Sequence, residues 1–234
     1  MKVLVTNDDG IDAPGLAALA EACRGWAART IVVAPREPHS GCGHRVTTDR
    51  PLALEPAGPD RWHVDGTPAD CIRLALAALF GPHERPDWVL SGINAGGNLG
   101  VDVHHSGTVA AAREAALHGL RALAVSHYHR REAPLDWERA ARWMHTVLAE
   151  VPRRPLAQGE FWNVNFPHPA AEAGDAVPPR VDCAIDPSPL PIGYDSQPEG
   201  WRYRSRYHER ARLPGADVAT CFAGAIAVSR SRVV

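Results

Sequence analysis

Val3-Leu4-Val5-Thr6-Asn7-Asp8-Asp9-Gly10 decides how the chain reads. Apolar β-formers run straight into two adjacent carboxylates and a glycine, and a helix-like stretch follows. A short apolar run closed by a turn signal predicts a buried strand. In open α/β sheets, ligands bind beyond the carboxyl ends of such strands. Asp8 and Asp9 repel each other there unless a positive charge sits between them, and a divalent cation is the simplest candidate. A solvated Asn-Asp-Asp-Gly turn accounts for the same residues without any ligand.

Outward from this strand, Pro14 suits a first helical turn, and the alanine- and leucine-rich run after it predicts a helix to about residue 28. Ile31-Val32-Val33-Ala34 is a second buried strand, so the first 35 residues form a βαβ unit and predict a mainly parallel sheet flanked by helices. Short strands are expected at 46–49, 52–55 and 61–64, then a helix from Thr67 to about 79 and a third core strand at 87–90. A helix from Ser106 to about 118, a strand at 120–125 and an amphipathic helix at 136–150 follow. The strand at 161–166 reads as the last of the main sheet. Ten of the 21 prolines fall between residues 152 and 198, and apolar periodicity fades after Pro167. The chain therefore divides into a core, 1–166, and an irregular or β-hairpin extension, 167–234. A short helix and strand near 217–230 close that extension, which packs on the core or on another subunit.

With 45% apolar and 22% charged residues, the 234-residue chain has an ordinary globular composition. Its formal net charge of −2 provides no basic surface for a nucleic acid polymer. The five cysteines are scattered without a CxxC pair, against both a disulfide framework and a zinc site. Asp8 and Asp9 fall where a signal peptide would be apolar, and no apolar run reaches the roughly 18 residues of a membrane span. No membrane association and a cytoplasmic location are expected.

Several residues could complete a site around Asp8 and Asp9. Ser40 and Asn94 follow the second and third core strands in glycine-flanked loops, where backbone approaches a ligand closely. If those strands neighbour the first, both add neutral oxygens to one crevice; taken alone, each reads as a turn or cap residue. The loop Asn94-Ala95-Gly96-Gly97-Asn98 matches neither GxGxxG nor the P-loop. Thr67-Pro68-Ala69-Asp70 supplies its own helix cap. Ser106-Gly107-Thr108 starts a helix whose first acid is Glu114, which leaves its amino-terminal N–H groups for an outside anion such as phosphate; plain hydroxyl capping is the other reading. Twelve histidines include no HExxH, and His105 is expected at the border of the site as a substrate contact, a proton donor or a solvated loop residue.

Taken together, VTNDDGIDAPG, SGCGHRVT, VDGTPADCIRLAL, SGINAGGNLG, HHSGTVAAAREAALHG and WNVNFP resemble the SurE (stationary-phase survival protein E) family in order and spacing across about 1–166. The resemblance implies a Rossmann-like catalytic domain and hydrolysis of nucleoside 5′- and 3′-monophosphates with one divalent cation (Mg, Mn or Ca). It places Asp8, Asp9, Ser40 and Asn94 on metal-ligand positions, with Asp8 and Asp9 also catalytic. Asn98, Ser106, Gly107 and Thr108 fall on phosphate-facing positions. It further implies a homodimer or homotetramer built through the carboxy-terminal extension. Three segments depart from the family pattern. Ala95-Gly96-Gly97 stands for a usual Arg-Gly-Pro, His104-His105 replaces a common Leu-Tyr, and Pro38-His39 alters the loop before Ser40. Two alternatives remain: a cation-dependent nucleotide-binding protein without turnover, and a broader acid phosphatase or exopolyphosphatase.

Overall fold

A computed structural model describes residues 1–81, 84–129, 134–168, 176–204 and 207–233. The strand β1 (Lys2–Thr6) carries Val3, Leu4 and Val5 fully buried, which requires apolar cover on both faces. After α1 (Pro14–Ala22) the chain returns as β2 (Arg29–Pro35), parallel to β1. The expected helix was longer; it stops at Ala22 because Gly25 turns the backbone at φ +76°, a conformation that favours glycine.

Beyond β2 the sheet is extended by β4 (Arg61–Val64) and its antiparallel neighbour β3 (Leu54–Gly58). The strand expected at 46–49 is irregular instead. Thr47 gives its N–H and its hydroxyl to the Asp70 carboxylate (2.9 and 2.7 Å), and the Arg45 carbonyl accepts the Thr67 hydroxyl (2.6 Å). These bonds tie the segment to the cap of α2 (Pro68–Ala78), where Thr67 and Asp70 form the expected capping box.

On the other side of β1 lies β5 (Trp88–Ala95), followed by β6 (Arg121–His127) and β7 (Glu160–Phe166), all parallel. The crossovers are α3 (Gly107–Leu117) and α4 (Trp137–Glu150). The expectation that β7 is the last strand of the main sheet is corrected here. After β8 (Arg180–Asp182) and the separate hairpin of β9 (Tyr194–Gln197) and β10 (Gly200–Tyr203), the chain forms α5 (Asp217–Phe222) and β11 (Ile226–Arg232). β11 pairs antiparallel with β7 and parallel with β8, so the order is β3-β4-β2-β1-β5-β6-β7-β11-β8. The reason is apolar: Ile226, Ala227 and Val228 are buried and continue the core. Residues 169–175, 205–206 and 234 of the expected extension lie outside the described residues.

One face of the sheet packs Leu16, Leu19, Trp143 and Val147 of α1 and α4; the other packs Ile72, Ala75, Ala112 and Ala115 of α2 and α3. This is a Rossmann-like α/β fold with a mainly parallel sheet. No helix among the described residues is long and apolar enough to cross a membrane.

Candidate active site

Parallel strands end on one edge, and the order β2-β1-β5 makes the loops after them neighbours. Asp8 and Asp9 follow β1 after the single residue Asn7. The His39 N–H donates to the Asp8 carbonyl (2.8 Å), which holds the next residue, the exposed Ser40, near the end of β1. The Ala95 N–H donates to Asp9 Oδ2 (3.1 Å), which brings Asn94 beside the carboxylates. Asn94 gives its own Nδ2 to the Gly96 carbonyl (2.9 Å), so its amide oxygen is the atom left for a cation.

The start of α3 presses on the same point. No acid occupies its first turn, as its sequence predicts, and the Ser106 hydroxyl caps the helix by accepting from Val109 N (3.0 Å). The Thr108 hydroxyl donates to Asp8 Oδ1. A Cβ on Gly107 would stand 2.8 Å from Asp8 Cβ and 2.9 Å from Cys42 Sγ, so only glycine permits this approach. Part of the first turn that the sequence offered to an outside anion is thus spent on Ser106 and Asp8.

Charge balance follows from burial. Asp8 is 5% exposed; burial pushes its carboxyl up to about 6, against the opposing Thr108 hydrogen bond and with further help from the Asp9 charge. The half-buried Asp9 is also raised by burial, against the Ala95 N–H. Two adjacent carboxyls raised together mark a place short of positive charge, where a functional role is a physical expectation. Among the described residues no group of three His, Cys, Asp or Glu side chains could hold a metal. Two carboxylates with an amide and a hydroxyl oxygen are instead a hard-donor set, suited to Mg²⁺, Mn²⁺ or Ca²⁺.

Asn98 lies in the loop after β5 and is held by its backbone and its amide nitrogen. Its N–H donates to Asn165 Oδ1 (2.8 Å), its carbonyl accepts from Asn163 and Asn165 Nδ2 (2.9 and 3.1 Å), and its Nδ2 donates to Ser126 Oγ (2.7 Å). It is first an anchor that fixes the loop after β5 to β6 and β7. The sequence reading missed Asn163 and Asn165 in this role. Their signal was available: two amides at alternate positions of an otherwise apolar strand point to one face. His105 is exposed, and its carbonyl accepts the Gly43 N–H (3.0 Å), which joins the two loops flanking Asp8.

A profile of the Survival protein SurE family matches residues 3–180. A protein of Nostoc sp. is 49% identical over 233 residues, covering 100% of both chains. The 5′-nucleotidase SurE of Paramagnetospirillum magneticum is 35% identical over 233 residues, covering 98% of this chain and 88% of its own. The crystal structure of SurE protein from Aquifex aeolicus superimposes with a TM-score of 0.85 at 30% identity, covering 100% of this chain and 94% of that one.

Proposed function

The chain belongs to the SurE family, and from that premise we propose that it is a phosphomonoesterase hydrolysing nucleoside 5′- and 3′-monophosphates to nucleoside and phosphate. The observation that carries the reading is the meeting of Asp8 with the start of α3, beside Asp9 and the end of β5, at the ends of three parallel strands. A purely structural turn needs neither a carboxylate buried to 5% exposure nor a glycine pressed against it.

Asp8, Asp9, Asn94 Oδ1 and the Ser40 hydroxyl would hold one divalent cation. When bound, it neutralises the carboxylates, polarises a phosphoryl oxygen and lowers the pKa of water. The amino-terminal N–H groups of α3 at Gly107 and Thr108 receive the phosphoryl oxygens and stabilise the charge that develops on them. Asp8 has Oδ1 fixed by Thr108 and Oδ2 beside Gly107. We infer that Asp8, besides holding the cation, would accept a proton from the attacking water through Oδ2. The exposed hairpin β9–β10 supports a homodimer or homotetramer, because Tyr194, Trp201 and Tyr203 face solvent in the single chain.

The test is phosphate release from a panel of nucleoside monophosphates, polyphosphate and simple phosphomonoesters after chelation, with Mn²⁺, Mg²⁺ or Ca²⁺ restored singly. Turnover restored by a cation on nucleotides, and abolished by Asp9→Asn, is the expected result. Nucleotide binding without turnover under every cation would establish a binding protein, and preference for polyphosphate would establish the broader phosphatase. Full activity in chelator would remove the metal mechanism.

A further inference from the structure

Behind the crevice lies a second buried charge, on a residue that the reaction does not use. Glu114 of α3 is 3% exposed and meets three partners: His44 Nε2 at 2.7 Å, His118 Nε2 at 3.0 Å and Arg73 Nη1 at 3.1 Å. Burial pushes its carboxyl up, but the hydrogen bond from His44, followed by the hydrogen bond from His118 and the charge of Arg73, outweighs it and holds the group below the usual range. A carboxylate so enclosed persists only while its partners stay in place.

His44 differs from the other two partners in what it carries. It lies four residues beyond Ser40, and its ring stands between consecutive residues of α3. Its Nε2 meets Glu114, and its Nδ1 lies 3.5 Å from Arg113 Nη1. Since Arg113 can only donate, Nδ1 is the acceptor and Nε2–H donates to Glu114. Arg113 also donates through Nη2 to the Val103 carbonyl (2.8 Å), in the loop that leads to Ser106. One turn of α3 therefore grips both loops that flank Asp8, while the first turn of the same helix donates to Asp8 through Thr108. Arg73 and His118 reach Glu114 from α2 and from just past the end of α3, so their bonds to it do not involve the Ser40 loop.

We propose that His44, held between Arg113 and Glu114, is a positioning residue that sets the Ser40 loop against Asp8. The cation seat and the phosphate-facing turn are thereby assembled on one helix. The catalytic consequence rests on the nucleotidase reading; the mechanical one does not.

The experiment compares His44→Ala, His44→Gln, Glu114→Gln, Arg73→Gln and His118→Gln in the full chain. Amide exchange at Cys42 and Gly43 is followed in chelator, and the cation concentration for half-maximal phosphate release is measured separately. His44→Ala and Glu114→Gln should speed exchange at both amides about tenfold or more, the loss of a hydrogen bond to a charged group. They should also raise the cation requirement about tenfold or more, as changes behind metal ligands do. His44→Gln keeps an N–H near the Nε2 position and should recover most of both effects. Arg73→Gln and His118→Gln should lower the melting temperature while leaving exchange and cation requirement at wild-type values. The proposal is overturned if Arg73→Gln loosens the loop as much as His44→Ala. Unchanged exchange in His44→Ala, or failure of His44→Gln to recover it, overturns it equally. If no variant or wild type releases phosphate, the nucleotidase reading fails, and the exchange data alone still decide the positioning role.

Discussion

Burial raises the Asp8 carboxyl to about 6 from an ordinary 3.8, and Thr108 lowers it less than burial raises it. Between those two values the folded chain binds more protons at Asp8 than the unfolded chain, so stability falls as pH rises through the window. The shift of about two units corresponds to about 3 kcal/mol lost between about pH 4 and pH 7 in cation-free protein. Asp8→Asn removes that loss while keeping an oxygen for the Thr108 hydroxyl. In chelator, the variant should melt above wild type at pH 7.5, by about 2–4 °C for each kcal/mol recovered. The advantage should vanish at pH 4. Mn²⁺ should then raise the melting temperature of wild type but not of Asp8→Asn. A variant that melts below wild type at both pH values would show that Asp8 is not a strained, cation-seeking group.

At the scale of the element, α3 organises the site, and its first residue sets how closely it can approach. A methyl group at Gly107 would meet Asp8 Cβ at 2.8 Å and Cys42 Sγ at 2.9 Å, so the helix start or the β1 loop must retreat. Gly107→Ala should cost about 1–3 kcal/mol of stability by overpacking. A displacement near 1 Å at the reacting groups should lower kcat/KM about a hundredfold. Denaturant melts and steady-state kinetics check both; a stable variant of wild-type activity would deny the contact any role. Much of this arrangement was legible in the sequence, because β1, the Thr67–Asp70 cap and the acid-free start at Ser106 are local patterns. Their partners were not. Asp8 and Thr108 are 100 positions apart and His44 and Glu114 are 70 apart, so no periodicity connects them. The Val46-Thr47-Thr48 run has β-forming residues, yet Thr47 bonds Asp70 across 23 positions, and that tertiary bond overrides the local preference.

The whole molecule shows why the last third of the chain was hardest to read. Prolines break its periodicity, but β11 still enters the main sheet beside β7, and α5 with the segment before it braces the loop after β5. Tyr207 and Arg210 both donate to Asp102 Oδ2 at 2.7 Å, and Asp217 accepts the Gly100 N–H at 2.8 Å. Apolar side chains in and just before the hairpin β9–β10 stand in solvent instead. Ile192 is 92% exposed, Trp201 73%, Tyr194 52% and Tyr203 46%. An isolated two-stranded hairpin is marginal in water, and an exposed aromatic patch on one marks a surface that another molecule covers. Our proposal that the chain is a homodimer or homotetramer assigns that patch to a second copy, since aromatic side chains at the centre of an interface carry most of its binding energy. Light scattering at micromolar concentration should give a dimer or tetramer for wild type. Trp201→Glu, which places a charge in that centre, should shift the mass toward the monomer while leaving the melting of the nine-stranded core largely intact. A wild-type monomer, or an unchanged assembly in Trp201→Glu, would mean that the hairpin is not the contact between subunits.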